Sequence, residues 1–197
     1  MPLNRNLGAK LLSRRSGNSW VSALALSLLV VACALVVHRP AASAVGLSKP
    51  LPPQVAEMRD MILIAVHTGQ IDDLKTAIDL NGVEPDLGGR RGDDPIATLK
   101  AASADGEGRD VLAILGEILE FEPAALPLGK DIENNLVYVW PYLAEKPLDE
   151  LRPPEEVALL RLVTPAKAKE MREKKRWLWW RLAIGADGTW QVFKRQE

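Results

Sequence analysis

Cysteine and histidine are nearly absent from this chain, and the positions of the few copies make both absences count for more. The 197 residues include one cysteine, Cys33, and two histidines, His38 and His67. Cys33 and His38 lie within or beside an almost uninterrupted apolar run from Trp20 to Val37. Past residue 44 there is no thiol nucleophile, no pair of thiols for a disulfide, and a single imidazole. A zinc site built on the usual Cys and His ligands is excluded there, and no metal or other cofactor is expected. Serine is scarce as well, with Ser48 and Ser103 alone past position 44. A Ser-His-Asp triad would have to join Ser103 to His67, and no nucleophile-elbow pattern surrounds that serine. Paired carboxylates need none of these residues, so acid-based hydrolysis stays open.

Negative charge is missing from the N-terminal part. Residues 1–44 hold five Lys/Arg and no Asp or Glu. Arg5, Lys10, Arg14 and Arg15 precede the apolar run, Pro40 follows it, and Ala42 and Ala44 make an Ala-x-Ala end. This is the layout of a secretory signal peptide. The run exceeds the ~7–15 apolar residues usual in such a segment, so an uncleaved anchor through residues 20–37 is a second reading, close to the ~20 residues a spanning helix needs. Val30-Val31-Ala32-Cys33 suggests a third, a lipobox in which the cysteine is lipidated. All three readings expect the rest of the chain in the periplasm or elsewhere outside the inner membrane. Membrane contact is then limited to this segment, where it is retained.

Without residues 1–44 the chain carries 20 basic and 26 acidic side chains, a net −6 in place of −1 for the whole. Residues 45–164 hold 11 basic and 22 acidic groups, whereas residues 165–197 hold 9 and 4. An acidic body with a basic tail lacks the footprint of a nucleic-acid-binding domain. It suits two parts of one domain that complement each other in charge.

Residues 45–53, with Pro50, Pro52 and Pro53, read as a stiff leader, and 54–197 as one globular domain. Val55, Met58, Met61, Ile62, Ala65 and Val66 mark one face of a helix that breaks at Thr68-Gly69. Ile71 to Leu80 gives a second helix, closed by Asn81-Gly82 as a left-handed cap. Asp94-Pro95 starts a third, to about Ala102, by capping and proline at the first helical position. Val111 to Leu119 gives a fourth, ended before Pro123. Leu136 to Trp140 is a strand stopped by Pro141, Glu155 to Val163 a short helix, and Thr164-Pro165 opens a helix to about Lys175.

Trp177–Ile184 and Thr189–Lys194 flank Gly185-Ala186-Asp187-Gly188, a hairpin signal. A three-residue loop with Gly188 left-handed sets Ile184 opposite Trp190, Leu182 opposite Val192 and Trp180 opposite Lys194. That register gathers Trp180, Leu182, Ile184, Trp190 and Val192 on the buried face. It leaves Trp177, Trp179, Arg181, Ala183, Gln191 and Phe193 on the other, to be covered by helices or a partner. The fold expected is α+β: N-terminal helices, then a small antiparallel sheet of about three strands with a C-terminal β-hairpin.

Lys175 to Trp190, with Asn134-Asn135-Leu136-Val137-Tyr138-Val139-Trp140-Pro141-Tyr142, resembles short exported proteins of Gram-negative bacteria that have no assigned chemistry. The resemblance implies an exported protein and brings no catalytic residues with it. The closing Asp-Gly-x-Trp hairpin is also similar to the last hairpin of NTF2-like cone-shaped domains, whose longer curved sheet three strands would not supply.

The most polar patch is Asp131, Glu133, Asn134 and Asn135, beside Tyr138 and Trp140. With Trp179 and Arg181 of the hairpin, Asp131, Glu133, Asn134, Tyr138 and Trp140 are the ligand-binding candidates. Aromatic rings near amides and carboxylates suit an envelope protein or a glycan as partner, and they equally suit a plain core. The favoured reading is a non-catalytic binding or structural module. The alternative is a carboxylate-based glycan hydrolase drawing on Asp131, Glu133, Glu145 and Glu155, with two acids about 5–10 Å apart and one pKa raised. Gly88-Gly89-Arg90-Arg91-Gly92 could cradle an anion, although no strand precedes it as in a phosphate loop. Asp105 to Asp110 is acidic but lacks the EF-hand spacing.

Overall fold

The computed structural model describes residues 50–129 and 135–197, all within one compact unit, Ser48–Glu197. The apolar run, the Ala-x-Ala end, and Asp131, Glu133 and Asn134 lie outside the described residues. Helices α1 (Pro53–Thr68), α2 (Leu74–Leu80), α3 (Pro95–Ala102) and α4 (Arg109–Leu119) come first, with a 3-10 turn at Ile71–Asp73 leading into α2. Strands β1 (Ala124–Pro127) and β2 (Leu136–Trp140) follow, then a 3-10 turn at Tyr142–Glu145. Helices α5 (Pro153–Leu162) and α6 (Pro165–Glu173) precede the hairpin of β3 (Trp180–Gly185) and β4 (Trp190–Arg195). The fold is α+β, with one antiparallel sheet in the order β1-β2-β3-β4.

The helix boundaries follow local chemistry. Gly69, at φ 68°, closes α1 by donating its N–H to Ala65 and Val66. The Asp94 carboxylate caps α3, accepting from Ile96 and Ala97, and Thr164 caps α6 through Lys167 N–H. The helices bury their apolar faces against one side of the sheet. There Ile62, Leu74, Leu99, Leu115 and Ile118 meet Tyr138, Trp140, Trp180, Leu182, Ile184, Trp190 and Phe193 in a single core. A smaller cluster on the opposite side joins Val137, Val139 and Ala183, with Leu126, Ala144 and Val192 against it.

Several expectations change. The sheet has four strands, because Ala124–Pro127 pairs with β2 as Ala124↔Val139 through Pro127↔Leu136. Ala-Ala-Leu-Pro has little strand preference of its own, and its proline is tolerable on an edge. The hairpin register is also corrected. Ile184 does face Trp190, but Ala183 then faces Val192, Leu182 faces Phe193, and Trp180 faces Arg195. Gln191 is the extra residue of a β-bulge, which inverts the alternation beyond it. Phe193 therefore joins the core, fully buried, and stacks on Trp180 with centroids 4.8 Å apart, while Val192 moves to the smaller cluster.

The bulge lies where residues from outside the hairpin bind β4. Asp86 N–H donates to the Gln191 carbonyl (2.9 Å), and Phe193 N–H donates to the Asp86 carbonyl (2.9 Å). One residue earlier on β4, the Asn81 amide accepts from Trp190 N–H (2.6 Å) and donates to Trp190 O (2.8 Å). The chain after α2 thus covers the open edge of β4, which would otherwise be free to pair with another strand. Asn81 itself is right-handed (φ −66°), so the left-handed position expected at Asn81-Gly82 falls on Gly82 (φ 73°). Trp177 is likewise buried in the main core, with its indole N–H donated to Trp180 O (3.0 Å), not on the opposite face as the register implied.

Candidate functional site

Helix α4 carries more apolar residues than the core can take. Val111, Leu112, Leu115, Ile118 and Leu119 are buried, and Ile114 is left half-buried on the flank. Beside it, α5 presents Leu162, and the segment entering β3 presents half-buried Trp179. Together Ala113, Ile114, Glu117, Ile118, Arg161, Leu162 and Trp179 line a groove of about 490 Å³. Arg161 ties one rim together, binding Glu117 (2.8 Å) and Glu120 (3.0 Å) while its guanidinium lies 4.8 Å from the Phe121 ring centroid. The Arg195 guanidinium stands 5.8 Å from the Trp179 ring centroid. The groove is thus apolar along its floor, and the charges at its edge are matched to each other.

The ligand-binding candidates named from the sequence do not converge on this groove. Among the described candidates, Trp179 alone reaches it. Tyr138 and Trp140 are packed into the core, Trp140 at 1% exposure, so their rings serve packing. Arg181 lies on β3 and pairs with Glu145 (2.8 Å), and its buried Nε has no partner among the described residues. Ile114 belongs to the apolar spacing of α4 that predicts a core-facing side chain, and it is half-buried at the groove instead. Arg161 and Leu162, at the end of α5, carry no sequence signal that sets them apart from an ordinary helix terminus.

The two described acids of the hydrolase reading are both ion-paired. Glu155 is buried on α5, where Lys146 (2.7 Å) and Arg152 (3.0 Å) bind its Oε1 and the Arg152 N–H (2.9 Å) binds its Oε2. The bonds from Arg152 and then Lys146 hold its carboxyl down at about 2, opposite to what a general acid needs. Because this value lies below the ordinary 4.5, the ionised form stabilises the fold above pH 4.5 and the contribution disappears as pH falls toward 2. Replacing Glu155 by Gln is expected to lower the thermal midpoint at pH 7 and leave a shallower loss across that acid window. Thermal melts of both proteins from pH 7 to 2 check this; parallel curves would refute it.

The acidic loop before α4 also has a local task. Asp105 accepts from the Ser103 hydroxyl and from the N–H groups of Glu107, Gly108 and Arg109, and its carboxyl sits at about 2 for that reason, the Ser103 bond first. Ser103, the triad candidate, is thereby committed to holding the start of α4. Among the described residues no group of three His, Cys, Asp or Glu side chains is placed to hold a metal ion, and no helix is long and apolar enough to cross a membrane. No protein-family model, curated protein or solved structure matches the chain.

Proposed function

We propose that this chain is an exported envelope protein whose folded domain is a non-catalytic module that binds another protein. The observation that supports the reading is the groove between α4, α5 and Trp179. A site for sugars needs polar groups left over for hydroxyls, and here Glu117 and Arg161 are spent on each other. An apolar floor with one tryptophan and a paired rim has the character of a protein interface, where aromatic and arginine side chains act as anchors. The N-terminal basic and apolar pattern supports placing this partner in the envelope.

The test is photo-crosslinking in a Gram-negative host expressing the full chain. A crosslinking residue replaces exposed Ala113 in the groove or, as reference, exposed Ala97 on α3. We expect a discrete protein adduct from position 113, recovered in the envelope fraction and absent from position 97. Trp179→Ala should lower adduct yield strongly, since truncating an anchor of this kind costs about 2 kcal/mol or more. Identical adducts from both positions, or an adduct unaffected by Trp179→Ala, would remove the groove as the binding site. Recovery in the cytoplasm would remove the export reading.

A further inference from the structure

We propose that the loop between α2 and α3 is a binding site for a phosphate-type oxyanion, gripped by Arg90 and Arg91. Residues Val83 to Thr98 enclose a cavity of about 360 Å³. Adjacent side chains on an extended chain point to opposite sides. Here both arginines line one cavity at a turn in which Asp93 N–H donates to Arg90 O (3.1 Å), Arg90 N–H donates to the Asp93 carboxylate (2.8 Å), and Gly92 is left-handed at φ 85°. Behind the turn the backbone presses on α3, since a Cβ on Gly89 would stand 2.8 Å from Thr98 Oγ1.

Three carboxylates also reach this cavity, and each has a partner in the fold. Asp86 binds Lys194 and Gly88 N–H, Asp93 binds Arg90 N–H, and Glu84 accepts from Gly92 N–H (3.1 Å). Neither Arg90 nor Arg91 forms an ion pair among the described residues. Two arginines that line one cavity with no carboxylate ion-paired to either leave their guanidinium N–H donors free for a phosphate group, and each planar fork can bind it in a way an ammonium would not reproduce. The site is separate from the α4–α5 groove and does not depend on the function proposed for it.

The experiment titrates inorganic phosphate into the full chain in detergent micelles at constant ionic strength, followed by calorimetry. Saturable binding is expected, and the double variant R90A/R91A should weaken it about tenfold or more, the loss of charge-assisted contacts. R90K/R91K should recover part of it, because charge returns without the planar fork. Lys169→Ala, which removes an exposed cation from α6, should leave binding unchanged. A second arm compares sedimentation with vesicles of phosphatidylglycerol and phosphatidylcholine against phosphatidylcholine alone. Arginine-dependent binding to the first vesicles without a phosphate response identifies a lipid headgroup as the source of the oxyanion. Absence of arginine dependence in both arms, or an equal loss with Lys169→Ala, overturns the proposal. Matching thermal midpoints of native and double-variant protein keep a folding defect from imitating the result.

Discussion

Replacing Phe193 by alanine is expected to cost about 3–5 kcal/mol of folding stability, the range for truncating a core aromatic, while the neighbouring Val192→Ala costs far less. The contrast follows from the bulge at Gln191. A strict alternation from Ile184↔Trp190 would put Val192 in the main core and Phe193 outside. The observed pairing of Leu182 with Phe193 reverses them. Phe193 is completely buried against Trp180, whereas Val192 is only partly buried in the three-residue cluster across the sheet. The same logic ranks the tryptophans: Trp180→Ala should destabilise more than Trp179→Ala, as Trp180 is core and Trp179 lines an open groove. Urea denaturation midpoints of the four variants decide the matter. Equal midpoints for Val192→Ala and Phe193→Ala would overturn the bulged register.

Gly108→Ala should be the most damaging single methyl that can be added to the described chain. Gly108 begins α4 with φ 90°, a left-handed position costing an L-residue about 1–2 kcal/mol. An added Cβ would also sit 2.6 Å from Ile71 Cβ, which is itself buried. Overpacking of that kind adds about 1–3 kcal/mol, so a total of about 2–5 kcal/mol is expected. Gly106→Ala provides the comparison, because Gly106 is left-handed too (φ 69°) but has open space around its Cβ position. Its cost should stay near the backbone part alone. Thermal melts of both variants measure the difference, and equal losses would mean that the Ile71 contact carries no energy.

Elements governed by their own few residues were legible from the chain. Asp94-Pro95 and Thr164-Pro165 announce helix starts because a capping oxygen and a preset φ act over one turn. Gly69 and Gly188 mark chain reversals for a similarly local reason, as both sit at positive φ. The start of β3 was less legible. Trp177 and Leu178 have strand-like side chains, yet the strand begins at Trp180, and Trp177 instead donates its indole N–H to the Trp180 carbonyl. The candidate site is less legible: Tyr138 and Trp140 have the aromatic character of a ligand platform, and burial in the core is the commoner use of such rings.

Composition alone decided which chemistry the folded part lacks: past residue 44 the chain has no thiol and a single histidine. Amphipathic spacing decided that helices come first and a hairpin closes the domain. Tertiary structure decided everything that depends on residues far apart meeting. Strand β1 exists because β2 offers it a ladder. The hairpin bulges where Asp86, more than a hundred residues earlier, hydrogen-bonds to β4 on both sides of Val192. The groove exists because α4, α5 and Trp179 converge. Periodicity reports the face that an isolated element would bury, whereas the partner that takes that face is set by the free energy of the whole packing.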